Sequence, residues 1–163
     1  MVTKINDKPT IFQIHIPLPD NPLKNLNCYV LQSKGETLII DTGFNRPECK
    51  QAMEEGLSEL GVDFCHTSLF LTHLHSDHTG LVYNLMQGKN CPIYMGKTDY
   101  DYFVDTTVGD TWIQTEHRFE QEGFPKEYTT ALRNTNPARS FAPSGVFPAI
   151  MMYDGDTLQI GDC

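Results

Sequence analysis

The stretch Thr72-His73-Leu74-His75-Ser76-Asp77-His78-Thr79-Gly80 sets three histidines and an aspartate within six consecutive positions, directly after the run Ser68-Leu69-Phe70-Leu71. In extended backbone, residues two apart project the same way, so His73 and His75 converge on one point at the end of a strand. Asp77 and His78 follow as the chain turns toward a helix, and they present a carboxylate and a third imidazole to a neighbouring point. Imidazole and carboxylate together suit zinc, iron or manganese, with zinc the default where nitrogen dominates. At the chain's own residue frequencies, a fixed H-x-H-x-D-H arises by chance with odds on the order of one in a thousand. Scattered surface histidines are the weaker explanation.

The elements that must hold these residues follow from pattern. Thr10 to Ile16, Asn27 to Gln32 and Thr37 to Ile40 are β-branched, partly alternating strand candidates, and Ser33-Lys34-Gly35-Glu36 joins the last two as a hairpin turn. The prolines at 19 and 22 make Leu18 to Leu26 a loop. After Asp41-Thr42-Gly43, the stretch Pro47 to Leu60 spaces Ala52, Met53, Leu57 and Leu60 at helical intervals, with Pro47 at its start and Gly61 just past its end. Ser68 to Leu71 reads as a short buried strand, Thr79 to Met86 as a helix that Ser76 or Asp77 caps, and Pro92 to Met95 as another strand. Alternating strands and helices imply a mixed α/β fold with helices covering a sheet.

The region from Lys97 to Phe147 breaks that rhythm. Its many aromatics lie among acids and turn residues, with short helices expected at Asp110 to Gln121 and Lys126 to Arg133 and a loop from Asn134 to Val146. Two readings stand: an irregular insertion that packs its aromatics into the domain, or a lid that shapes a substrate pocket. Asp154-Gly155-Asp156 then turns the chain into an expected last strand, Thr157 to Ile160.

Composition narrows the function. A chain of 163 residues with 39% hydrophobic and 20% charged residues fits one globular domain, so residues 1–163 are read as a single unit. Its formal net charge of -9, with no basic run, opposes binding to a polyphosphate backbone or an anionic membrane. The expected partner is a small-molecule substrate, not nucleic acid or membrane. The N-terminus, Met1 to Lys8, lacks the apolar core of a signal peptide, which leads to the expectation of a cytoplasmic protein. Five cysteines at wide spacing, with no C-x-x-C pair, suggest neither a disulfide framework nor a thiolate zinc knuckle.

His73-Leu74-His75-Ser76-Asp77-His78-Thr79-Gly80 resembles the H-x-H-x-D-H-x-G signature of the metallo-β-lactamase-fold hydrolases. The surrounding order is similar too: an N-terminal hairpin, an Asp-Thr-Gly turn (Asp41-Thr42-Gly43), a helix, then a hydrophobic strand leading into the histidines. The resemblance implies the αββα sandwich of that family, with this chain supplying its N-terminal part and the C-terminal half missing. It also implies that His73 and His75 are ligands of one metal and that Asp77 and His78 are ligands of a second. A metal-bound hydroxide would then be the nucleophile, and Asp77 would orient it or take its protons. On the same resemblance Asp41 supports the ligands from behind; its other reading is a tight strand-to-helix turn.

The resemblance further implies a third histidine, a bridging aspartate and a final histidine beyond a strand like Thr157 to Ile160, where this sequence reads Gly161-Asp162-Cys163. His15 and His66 are expected to be structural or exposed, His117 to belong to the aromatic insertion as a weak ligand candidate, and Asp154 and Asp156 to serve their turn. The expected activity is hydrolysis of a small ester, thioester, lactone or lactam with one or two zinc ions (or iron or manganese), weakly bound or absent in this chain. Two alternatives remain. One is a non-catalytic fold that associates with itself or a partner through the uncovered sheet; the other is a di-iron redox protein of the same fold.

Overall fold

The computed structural model describes all residues, 1–163. Its framework is one seven-stranded sheet in which the strands lie in chain order. β1 (Val2–Asp7), β2 (Thr10–Pro17), β3 (Asn25–Ser33) and β4 (Glu36–Ile40) form an antiparallel meander. β5 (Thr67–Leu71), β6 (Ile93–Gly96) and β7 (Ile150–Met152) then add in parallel to β4. Parallel neighbours need crossovers, and helices supply them. α1 (Pro47–Glu59) links β4 to β5, while α2 (Ser76–Thr79) and α3 (Val82–Met86) link β5 to β6. α4 (Lys97–Val108), α5 (Thr111–Gln121), α6 (Lys126–Thr135) and α7 (Pro137–Ser140) fill the long connection to β7.

The core lies on one face of the sheet. Ile14, Ile16, Cys28, Val30, Ile39, Leu69, Leu71 and Met95 are buried there against Cys49, Met53 and Leu57 of α1 and Val82, Leu85 and Met86 of α3. α1 stops where the sequence says it should: Gly61 takes a left-handed φ of 61°, and the amides of Gly61 and Val62 return to the carbonyls of Ser58 and Leu57. On the opposite face, the ladder aligns Gln13, Tyr29, Ile40, Phe70, Tyr94 and Ile150 in one row across six strands. None of these six is buried, and Ile150 is 51% exposed. No helix of the chain is long and apolar enough to cross a membrane.

Several expectations need correction. Thr157 to Ile160 is not a strand: the chain there pairs with no neighbour, and the amides of Ile160 and Cys163 exchange bonds with each other's carbonyls in a closed turn. The last strand is Ile150–Met152, inside a stretch with too few residues to show alternation. β1 adds an edge strand whose residues beyond Val2 are exposed, so it carries no apolar pattern. The helix expected from Thr79 to Met86 starts at Ser76 and breaks into two, because the amide of Leu81 donates to Gly43 O. Neither Ser76 nor Asp77 caps it. His75 occupies the cap position without a side-chain bond, and the Ser76 hydroxyl donates to Pro137 O instead.

The stretch 97–147 is more helical than its sequence suggests. α4 runs directly from β6, and α7 interrupts the expected loop, with Pro137 at its first turn and the Asn136 side chain accepting from the amide of Ala138.

Candidate metal centre

The carboxyl ends of three adjacent parallel strands, β4, β5 and β6, bring Asp41, the motif and Asp99 to one edge of the sheet. This is where open α/β sheets expose their loops to a ligand. Asp41 leaves β4 in a left-handed conformation, φ 63°, and is only 5% exposed. Such backbone costs on the order of 1 kcal/mol even for a residue type that tolerates it, so its contacts must compensate. They are dense. Its Oδ1 accepts from the Thr72 amide at 2.9 Å, and its Oδ2 accepts from the Thr72 hydroxyl at 2.8 Å. The same Oδ2 lies 2.8 Å from His78 Nδ1.

These contacts assign the imidazole tautomers. A proton on His78 Nδ1 goes to Asp41, which leaves Nε2 with a free lone pair. The Thr72 hydroxyl spends its single hydrogen on Asp41 and can only accept from His73 Nδ1, 3.0 Å away. That leaves His73 Nε2 with a lone pair as well, aimed at His75 Nδ1 at 3.0 Å. Burial pulls the His73 pKa below the ordinary histidine value, and the neighbouring His78 and His75 add to that effect. For His78, burial pulls the same way, but the Asp41 hydrogen bond and the charges of Asp41 and Asp77 together raise its pKa.

Thr72, Thr42, Asp99 and Gly80 are the supports that pattern reading did not single out. Thr42 is fully buried, and both its amide and its hydroxyl donate to His78 O, at 2.9 and 2.7 Å. Asp99, in the first turn of α4, accepts from the Leu74 amide at 3.0 Å and so pins the loop between the first two histidines. A Cβ on Gly80 would lie 2.5–2.6 Å from Asn45 N, Phe141 O and Ser76 O, all backbone, which explains the glycine that closes the motif. Thr72 and Gly80 sit within the motif's own span and were open to suspicion; Asp99 lies far along the chain in a region without a pattern.

The other histidines lie elsewhere. His15 meets Gln13 on β2, and His66 and His117 are exposed. Asp156 accepts from the Tyr153 amide at 2.8 Å and serves its turn, and Asp154 is exposed beside it. Among the cysteines, Cys28 and Cys49 are buried, Cys91 is partly so, and Cys65 and Cys163 are exposed.

The motif side chains gather around His73, whose ring centroid lies 4.0 Å from that of His78 and 4.6 Å from that of His75. His73 Nε2 and His75 Nδ1 are separated by little less than the roughly 3.3 Å edge of a tetrahedron with zinc–nitrogen bonds of ordinary length. His78 Nε2 lies 3.6 Å from Asp77 Oδ2. In donor type and in the spacing of each pair, the residues fit a divalent metal. In number they do not close a site: no three His, Cys, Asp or Glu side chains form a metal-holding group.

Beside the motif lies a cavity of about 580 Å³, lined by Leu74, His75 and Ser76 and by Tyr102, Phe103, Trp112 and Arg139 among others. The aromatics of the helical region thus divide their roles. Phe103 stacks on Phe147 with ring centroids 4.6 Å apart and joins the core, whereas Phe119, Phe124 and Tyr128 remain exposed.

With this fold and strand-end cluster in view, comparison with known proteins is specific. Residues 22–150 match the model of the metallo-beta-lactamase superfamily, and the chain belongs to that family. An atrochrysone carboxyl ACP thioesterase of Emericella nidulans is 37% identical over 70 residues, which span 43% of this chain and 22% of that protein. A hydroxyacylglutathione hydrolase of a Marinomonas species is 41% identical over 49 residues, spanning 26% and 19%. Among solved structures, a metallo-beta-lactamase family protein of Thermus thermophilus superposes with a TM-score of 0.66 at 26% identity, over 92% of this chain and 48% of that one. A beta-lactamase domain protein of Burkholderia ambifaria gives a TM-score of 0.71 at 19% identity, over 98% and 47%, and shares the fold. The chain thus spans about half the length of these solved relatives and about a fifth of the curated ones.

Proposed function

We propose that the chain carries the metal-binding edge of a hydrolase that cleaves a small ester, thioester, lactone or lactam. The observation that supports this most is the orientation of His73 and His78 by Thr72 and Asp41, which leaves both Nε2 lone pairs free in a cluster that also holds His75 and Asp77. On this reading His73 and His75 hold one zinc ion, and Asp77 and His78 hold a second; iron or manganese would suit the same donors. When bound, such ions polarise a carbonyl and lower the pKa of a bound water to about 7.

The chain's own residues do the rest. Asp41 fixes the His78 ring and raises its basicity, a role that carboxylates commonly play behind metal-bound imidazoles. Asp77, with its side chain 16% exposed, is the carboxylate placed to accept a proton from the attacking water. The cavity beside His75 has the volume of a small-molecule site and holds the acyl group against aromatic walls. The names of the thioesterase and the hydroxyacylglutathione hydrolase relatives favour a thioester among the candidate carbonyls.

The test is hydrolysis of a panel of thioesters, esters, lactones and lactams by the metal-loaded protein, alongside Asp77→Asn. Zinc-dependent turnover that falls at least a hundredfold in the variant is expected; absence of turnover across the panel in any metal-loaded form would sink the reading.

A second reading draws on the row Tyr29, Ile40, Phe70, Tyr94 and Ile150, which leaves apolar surface on the helix-free face. It holds that the chain associates through that face, with itself or with a partner, and is not catalytic alone. Light scattering distinguishes the two: a monomer at all concentrations excludes self-association.

A further inference from the structure

One charge beside the motif has no part in the chemistry proposed above. Arg139, on α7, lines the same cavity as His75, Trp112 and Tyr102, and no aspartate or glutamate lines it. The acid that meets Arg139 is Glu116, which borders a second cavity that Arg139 and Trp112 also line. Arg139 is not neutralised by its own contacts. Its Nη1 donates to Glu116 Oε1 at 2.9 Å, but Glu116 also accepts from Arg133 Nε at 2.6 Å and from Arg133 Nη2. One carboxylate between two guanidiniums leaves one positive charge in excess.

The guanidinium is also held in place. Its carbon lies 5.0 Å from the centroid of the Trp112 ring, and its side chain keeps 29% exposure. Of its donor nitrogens, Nη1 alone has a protein acceptor. A stacked, planar group with spare donors is built to receive a carboxylate in a two-point contact. A single excess charge balances a monoanion better than a phosphate dianion.

We propose that Arg139 is a specificity-determining residue that selects acyl substrates bearing a carboxylate. The carboxylate sits on Arg139, the body of the acyl group lies along Trp112 and Tyr102, and the reacting carbonyl reaches His75. The last clause rests on the hydrolase reading, whereas capture of the anion needs no turnover and no metal.

Trp112 is the sole tryptophan of the chain, so its fluorescence reports the cavity directly. The experiment titrates the protein with 4-phenylbutyrate and with its uncharged amide, 4-phenylbutyramide. The acid is expected to bind at least tenfold more tightly than the amide. Arg139→Gln should erase that preference and leave the amide unaffected, and Arg139→Lys should retain part of it. Glu116→Gln, which releases the guanidinium, should tighten acid binding, whereas a purely structural Arg139–Glu116 bridge would make the same change weaken it. Arg118→Gln, at an exposed position of α5, removes a charge outside the cavity and should change nothing. Equal affinity for acid and amide, binding of neither, or a preference that survives Arg139→Gln overturns the proposal. An acid preference with no hydrolysis of any ester would defeat the hydrolase reading alone, and hydrolysis without the preference would defeat this one alone.

Discussion

The cavity beside His75 has two walls built on different principles. The strand-end wall is held through its backbone amides: that of Thr42 donates to His78 O, those of Thr72 and Leu74 to the carboxylates of Asp41 and Asp99, and Asp41 is tied to Thr72 and His78 from a buried position. The helical wall is held by side chains. α5 buries no residue, α6 buries only Thr129, and their connection runs through Glu116 and two arginines. A wall anchored in the sheet can hold reacting groups to within the tolerance that chemistry needs, while a wall of lightly buried helices can change shape around different acyl groups. The division suggests that reaction type and substrate choice are separable in this chain.

Damage to each wall in turn would show whether the two are independent. Phe103→Ala removes a ring that is 3% exposed and stacked on Phe147, and it should cost about 3–5 kcal/mol in denaturant unfolding. If the walls are independent, the loss should concentrate in α4 to α7 by hydrogen exchange and leave β2 to β5 protected. Uniform loss of protection would show a single cooperative unit instead.

Asp41→Ala attacks the other wall. It leaves the Thr72 amide and hydroxyl and His78 Nδ1 without their acceptor and puts alanine at a positive φ, so a loss of about 2–4 kcal/mol is expected. Zinc affinity should fall about 10–100-fold, as it does when a carboxylate behind a ligating imidazole is lost. Calorimetric titration with zinc reads the second effect; unchanged affinity would reduce Asp41 to a turn residue. Gly80→Ala forces a methyl against three backbone atoms and should destabilise by about 1–3 kcal/mol in the same unfolding assay.

The weakest contrast concerns the thiols. At pH 8, the exposed Cys65 and Cys163 should alkylate first. Burial pushes the Cys91 pKa up to about 11, so its thiolate fraction at that pH is small and it should react far more slowly. Mass spectrometry of timed labelling checks the order, and early labelling of Cys91 would show that the edge between β5 and β6 opens readily.

The same contrast governs what could be read from sequence. The motif is legible because its three histidines and aspartate lie within six consecutive residues at a strand end, and the hairpin and α1 are legible because turn, proline and glycine signals lie where propensity puts them. The helical wall is not, since α4 follows β6 without a break and buries only Phe103, which leaves no periodic face to detect. The Thr157 to Ile160 stretch has strand composition, but a strand exists only where a neighbour offers a ladder, and none does. Asp99 and Arg139 act across the fold on residues 25 and 23 positions away, and no local pattern records such partners. Whether a candidate metal site closes is a matter of donors in space, and in the fold no three of these side chains form a metal-holding group.

If His73, His75, Asp77 and His78 form a metal-binding cluster whose geometry Asp41 and Thr72 set in advance, bound zinc must carry their signature. X-ray absorption at the zinc edge, on the protein loaded with zinc and on His73→Ala loaded in parallel, reads that signature. Zinc should be held by imidazole nitrogen and carboxylate oxygen at about 2.0–2.2 Å, with the nitrogen contribution reduced in the variant. A sulfur-dominated shell, or a shell identical in the two proteins, would contradict the assignment.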